Sequence, residues 1–218
     1  MDSGGGLFLA LLGAAVSVGS LHSLAPDHWV PFAALARAQG WPARRTALVT
    51  FACGFGHVTI SALLGLLGLL FGRQVFERIG QRMESVAGLL LIGFGLAYGL
   101  WGLRRAIGRR VHGHVHAHFD HVHDPSRATA WSLFVLFSAD PCVAVIPLLF
   151  TAAPLGTLQA VAIVLLYETA TIGTMIHLVL SARAGAVRFR LAFLDRWGDA
   201  VAGGVIALTG LVVGFLGI

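Results

Sequence analysis

His22-Ser23-Leu24-Ala25-Pro26-Asp27-His28-Trp29-Val30-Pro31 sets three ionisable side chains and two prolines inside a run, residues 7–35, otherwise dominated by Leu, Ala, Val and Gly. A run of that length exceeds the ~20 residues needed to cross a hydrocarbon core of ~30 Å. An acid at the centre of such a helix costs about 2.5–3.5 kcal/mol on insertion scales, so Asp27 is not there by accident. In an unbroken helix the six residues from His22 to His28 turn through about 600°, which leaves the two imidazoles roughly 120° apart. The prolines change this. Pro26 has no N–H to give the carbonyl of His22, and Pro31 crowds that of Asp27. A broken or strongly tilted span is therefore expected, with freed carbonyls and with His22, Asp27 and His28 brought towards one point.

The same ruler applied to the rest of the chain predicts five further spans, at 46–71, 83–103, 129–152, 156–182 and 198–217. Composition agrees. Only 11% of the 218 residues are charged and 57% are hydrophobic, with a mean hydropathy of +0.83; a typical globular chain carries about 25% charged residues. The 28 glycines suit helices packed backbone to backbone in lipid. These figures argue against a soluble enzyme, a nucleic-acid-binding domain and a disulfide scaffold.

A sequence pI near 10.5 would suit a nucleic-acid partner, but the basic residues are in the wrong places. All 15 are arginines, and they gather between the apolar runs. Arg37, Arg44, Arg45, Arg104, Arg105, Arg109, Arg110, Arg127, Arg183, Arg188, Arg190 and Arg196 occupy connections 1–2, 3–4 and 5–6, whereas Arg73, Arg78 and Arg82 occupy the other side. The positive-inside rule then puts the first set in the cytoplasm and both termini outside. The amino terminus lacks the basic region of a signal peptide, so the first apolar run is expected to be retained. No nucleic acid is expected as a partner, and the lipid bilayer is.

Glu84-Ser85-Val86-Ala87-Gly88 is echoed by Asp199-Ala200-Val201-Ala202-Gly203, and Gly95-Leu96 by Gly210-Leu211. Similar spacing relates Pro26 to Pro141 and Pro31 to Pro147. Repeating an odd number of helices inverts the second copy, and inverted repeats are a transporter signature with the binding site near the midplane. The expected organisation is an all-α membrane protein of six helices in a 3+3 inverted repeat. Residues 1–103 form the first repeat, 104–128 a cytoplasmic loop and 129–218 the second repeat.

The other intramembrane polar residues fall near mid-span: His57 in Gly56-His57-Val58-Thr59, Asp140 and Cys142 in Ser138-Ala139-Asp140-Pro141-Cys142, and Glu168 in Glu168-Thr169-Ala170-Thr171. No arginine lies in mid-span to offset Asp27, Asp140 and Glu168, so a bound cation or protons must. Imidazole ligates Ni²⁺, Co²⁺, Zn²⁺ and Cu²⁺, whereas Mg²⁺ and Ca²⁺ prefer oxygen shells. His22, Asp27, His28, His57, Asp140, Cys142 and Glu168 are the candidate metal site, Asp140 and Glu168 serving equally well in proton coupling. Cys53, Met175 and His177 read as packing or hydrogen-bonding residues. Glu84 and Asp199 read as acids opening helices, where the dipole favours them.

His22-x4-Asp27-His28 in a hydrophobic helix, followed by Gly56-His57 in the next, resembles the signature of the nickel/cobalt transporter family. Glu168-Thr169-Ala170-Thr171 is similar to an acidic element of a later helix in that family. Asp140-Pro141-Cys142 resembles the proline–cysteine element of the wider superfamily of lysine exporters and thiol-electron carriers. The specific motifs cover about thirty residues, and the chain has six predicted spans where many members have eight. The resemblance implies a secondary carrier of Ni²⁺ or Co²⁺ in a bacterial cytoplasmic (inner) membrane, with Zn²⁺, Mn²⁺ or Fe²⁺ as other cargo. His22, Asp27, His28 and His57 would form the site. The motif favours uptake; efflux on the same fold is the alternative, as is a thiol-electron carrier using Cys53 and Cys142. Neither an HExxH motif nor an output domain is present, so transport is expected rather than catalysis.

Between spans three and four, His112, His114, His116, His118, His121 and His123 fall within twelve residues, with Asp120 and Asp124 interleaved. On the cytoplasmic side such a tract would capture metal weakly, and a cytosolic metallochaperone would be its partner.

Overall fold

The computed structural model describes residues 3–71, 73–108, 125–140, 142, 144–188 and 192–216, and the regular structure among them is helical. The histidine tract at 112–123 lies outside the described residues. The helices are α1 (Ser3–His22), α2 (Pro26–Ala38), α3 (Ala43–Phe71), α4 (Arg73–Gly108), α5 (Pro125–Ser138), α6 (Val145–Ala152), α7 (Thr157–Arg188) and α8 (Ala192–Leu216), with one 3₁₀ turn at Ala153–Leu155. Residues 104–108 and 125–128, expected in the loop, continue α4 and open α5.

The first predicted span is broken where the prolines put the break. α1 ends at His22 and α2 restarts with Pro26 in its first turn, behind Ala25 in an extended conformation (φ −56°, ψ 134°). Proline suits that position because its missing N–H has no intrahelical partner there. The fourth predicted span, 129–152, is also broken, into α5 and α6. The sequence reading had it continuous, but Pro141 disfavours the helical region for Asp140 before it.

Among the described residues, four helices are long and apolar enough to cross a membrane, over Gly5–His22, Ala43–Leu69, Gly88–Gly108 and Thr157–Gly185. Shorter apolar helices cover Ala128–Ser138, Val145–Leu155 and Trp197–Val212. Their outward faces carry large apolar side chains, among them Leu9, Leu89, Trp131 and Leu158, each more than 65% exposed. Apolar surface that extensive is unfavourable in water and is consistent with a multi-pass membrane protein.

α1 and α2 pack along α7, while α5 and α6 pack along α3. The closest pairing is α4 with α8, and glycine makes it possible. A methyl group added at Gly95 would strike the backbone of Ala207 and Gly203, and one at Gly203 would strike that of Gly99 and Gly95. Two apolar clusters result. One gathers Phe32, Leu35, Cys53, Phe137, Met175 and Ile206; the other gathers Ala15, Val58, Cys142, Val145, Ile163 and Tyr167. The candidate site lies between them.

A polar network ties down the far end of α2. Gly40, at φ 62°, turns the chain so that the Trp41 N–H reaches the carbonyl of Ala36 (2.9 Å) and the Gly40 N–H that of Arg37 (3.3 Å). This is a Schellman closure, and its left-handed residue favours glycine. Gln39 then donates to Tyr98 Oη (3.1 Å) and Thr129 Oγ1 (3.0 Å) and accepts from Trp41 Nε1 (3.0 Å). Tyr98 donates to Asp199 Oδ1 (2.8 Å), Arg105 pairs with Asp199 Oδ2 (3.3 Å), and Arg183 Nε donates to the carbonyl of Trp41 (2.9 Å). Asp199 was expected to open a helix. α8 begins at Ala192, so Asp199 lies about two turns inside it, and its carboxylate serves this network instead of the helix dipole. Glu84 likewise falls inside α4; its side chain lies outside the described residues.

Candidate metal centre

The break between α1 and α2 is held in place by Ser23, whose hydroxyl donates to the carbonyls of Gly19 (2.7 Å) and, across the bundle, Thr171 (3.1 Å). Gly19 allows this approach, since a methyl group there would press on the carbonyl of Tyr167 and the hydroxyl of Thr171. The carbonyl of His22, expected to be left free by Pro26, accepts the N–H of Ala25 at 3.1 Å. The break therefore supplies geometry rather than that oxygen.

That geometry brings the imidazoles together. The ring centroids of His22 and His28 are 4.2 Å apart, so the divergence of an unbroken helix is removed. His57 of α3 completes the cluster, 5.2 Å from His28 and 6.3 Å from His22, and Phe137 packs against His57 at 4.8 Å and His28 at 5.5 Å. His28 and His57 are buried, and His22 is half-buried.

Hydrogen bonds assign the tautomers of two rings. His57 Nδ1 lies 3.2 Å from the carbonyl oxygen of Phe137, and His28 Nδ1 lies 2.9 Å from Asp27 Oδ1. A carbonyl and a carboxylate only accept, so each Nδ1 carries the hydrogen, and in the neutral ring each Nε2 then presents a lone pair. Nε2 of His22, His28 and His57 are all buried without a hydrogen-bond partner. An imidazole that gives one N–H to a carboxylate or backbone carbonyl while offering the other nitrogen is the usual arrangement of a metal-ligating histidine.

The thiol of Cys142 joins the cluster. His22, His57 and Cys142 each offer one donor atom, and these all lie within 4.8 Å of one another. Two hydroxyls fix the cysteine. Its backbone N–H donates to Ser61 Oγ (2.6 Å), Ser61 Oγ donates to the carbonyl of His57 (2.6 Å), and Tyr167 Oη lies 2.8 Å from Cys142 Sγ. Both hydroxyl residues were missed by the sequence reading. Ser61 follows His57 by four residues, one helical turn along the same face; Tyr167 offered no local signal beyond a hydroxyl in an apolar run.

The remaining predicted residues divide. Asp27, expected as a ligand, is engaged with His28 and orients it. Asp140 lies at the α5–α6 break, and it is not part of the three-donor group. Glu168 follows Tyr167 and lines an apolar groove with Thr59, Leu63 and Val164; its Oε1 is buried without a hydrogen-bond partner, and it is not part of the three-donor group. Cys53 is a free thiol in the other apolar cluster from Cys142, Met175 is buried packing, and His177 is exposed.

Compared with family models, with curated proteins and with solved structures, the chain finds no match. The functional reading therefore rests on the residues themselves.

Proposed function

We propose that the chain is a secondary carrier that moves a divalent transition-metal cation, Ni²⁺ or Co²⁺, across the bacterial cytoplasmic membrane in the direction of uptake. The observation that carries this reading is the set of three buried imidazole nitrogens without partners, beside a thiol, in the middle of an apolar bundle. Unpaired buried polar groups each cost on the order of 1–3 kcal/mol, and a cation would relieve all of them at once. The resemblance at His22-x4-Asp27-His28 agrees with it.

The packing of α4 on α8 supports the 3+3 inverted repeat. Residues 95 and 210 differ by 115, as do 88 and 203, 99 and 214, 23 and 138, and 56 and 171. Exchanging the halves turns the approach of Gly88 to Gly210 into that of Gly203 to Gly95, and Gly99 with Gly203 into Gly214 with Gly88. Ser23 against Thr171 becomes Ser138 against Gly56, also a close approach. An interface that maps onto itself is what a two-fold relation requires. The metal ligands would then come from both halves, His22, His28 and His57 from the first and Cys142 from the second, and relative motion of the halves would load and release the ion.

The test is radiolabelled Co²⁺ or Ni²⁺ flux into proteoliposomes. Wild type is expected to accumulate metal, and His22→Ala, His28→Ala and His57→Ala each to abolish accumulation. Undiminished flux in all three contradicts the proposal.

A further inference from the structure

Resting on that reading, we infer that the cargo is held in a four-coordinate shell of three imidazole nitrogens and one sulfur, from His22, His28, His57 and Cys142. The site would accordingly select Co²⁺ and Zn²⁺ over Mn²⁺ and Mg²⁺. A metal at about 2.0–2.1 Å from nitrogen and 2.3 Å from sulfur in a tetrahedron sets its donors roughly 3.3–3.6 Å apart. The three donors of His22, His57 and Cys142, all within 4.8 Å of one another, need only small ring and thiol rotations to reach that spacing. His28 stands outside that three-donor group and would close on the ion as the fourth: its ring is 4.2 Å from His22 and 5.2 Å from His57, its Nδ1 is committed to Asp27, and its Nε2 is without a partner.

A six-coordinate ion would need two donors more, and three of the neighbouring oxygens are already engaged. Asp27 Oδ1 accepts from His28, Ser61 Oγ accepts from Cys142 and donates to His57, and Tyr167 Oη is bonded to Cys142 Sγ. Of the buried oxygens left unpartnered, those on Thr50, Ser138 and Thr171 are neutral alcohols and poor replacements for water or carboxylate, and Glu168 Oε1 belongs to a residue outside the three-donor group. Octahedral oxygen shells suit Mg²⁺ and Mn²⁺, whereas sulfur with imidazole in a tetrahedron suits Zn²⁺, and Co²⁺ takes the same geometry. Tyr167 becomes a positioning residue, its hydroxyl donating to the sulfur that binds the ion and holding it towards His22 and His57.

The experiment is a Co²⁺ titration of the purified full chain in detergent, followed by visible and near-ultraviolet absorption. Wild type is expected to give the intense d–d bands of four-coordinate Co²⁺ together with a sulfur-to-cobalt charge-transfer band. Cys142→Ser should lose the charge-transfer band, and Tyr167→Phe should keep one Co²⁺ per chain but shift that band. Zn²⁺ should displace Co²⁺ at a concentration at least tenfold lower than Mn²⁺ or Mg²⁺. Weak octahedral-type bands, or a Cys142→Ser spectrum like that of wild type, would overturn the four-coordinate assignment and leave the metal-carrier reading standing. Failure of wild type to bind Co²⁺, Zn²⁺ or Ni²⁺ would overturn both. Because Tyr167→Phe leaves every ligand in place, it keeps the sulfur assignment testable even if Cys142→Ser fails to fold.

Discussion

The histidine cluster and the Gln39 network are both polar assemblies drawn from several helices of an apolar bundle, and they treat their polar atoms in opposite ways. Around Gln39, donors and acceptors close on one another: Gln39 with Tyr98, Thr129 and Trp41, and Asp199 with Tyr98 and Arg105. Around His57, hydrogen bonds satisfy one nitrogen of each of two rings and leave the Nε2 atoms of three clustered rings unpaired. A closed network stabilises the fold by itself. An open one leaves its polar atoms bare at a cost, and under the proposed function the metal ion is what would offset that cost.

That contrast breaks if the histidines turn out to be structural. His57→Gln is expected to weaken Co²⁺ binding more than about 100-fold, beyond the 10–100-fold typical of residues behind the ligands, as measured by equilibrium titration. Asp27→Asn keeps an oxygen that accepts from His28 but removes the charge, and should cost about 10–100-fold in the same titration. An equal or larger loss than for His57→Gln would make Asp27 a ligand rather than the residue that orients one.

Tyr98→Phe sharpens the comparison from the other side. It leaves Asp199 Oδ1 and one donor of Gln39 short of a partner, so unfolding should become easier by about 1–3 kcal/mol, with Co²⁺ affinity unchanged. A large change in affinity would mean that the two clusters are coupled through α2. The smallest effect is expected from Glu168→Gln: Glu168 lines a separate groove and is outside the three-donor group, so equilibrium affinity should stay at the wild-type value.

How much of this was legible beforehand depended on whether the cause was local. Pro26 lacks an N–H, so the α1–α2 break could be read from the residues, and with it the convergence of His22 and His28. His57 was legible because an imidazole in mid-span has few structural explanations. The second break, between α5 and α6, was passed over although Pro141 and Pro147 had been matched to Pro26 and Pro31, because a continuous apolar run invited a single helix. Cys142 was among the candidates, but nothing in the chain said that it, and not Asp27, would join His22 and His57. That depends on the packing of α5 and α6 along α3, a relation between residues 81 positions apart in the case of Cys142 and Ser61. Asp199 was misread because α8 starts earlier than its apolar pattern does, at Ala192, so an apparent helix opening was an interior position with partners on α4.

The central claim is that the histidine–cysteine cluster is open because it receives a metal ion, and metal-dependent unfolding tests it most directly. An ion at 100 times its dissociation constant stabilises the folded state by about 2.7 kcal/mol. Added Co²⁺ should therefore raise the unfolding midpoint of wild type and of Tyr98→Phe by similar amounts, and leave that of the double variant His22→Ala/His57→Ala where it was. An equal rise in the double variant, or no rise in wild type at any Co²⁺ concentration, would contradict it.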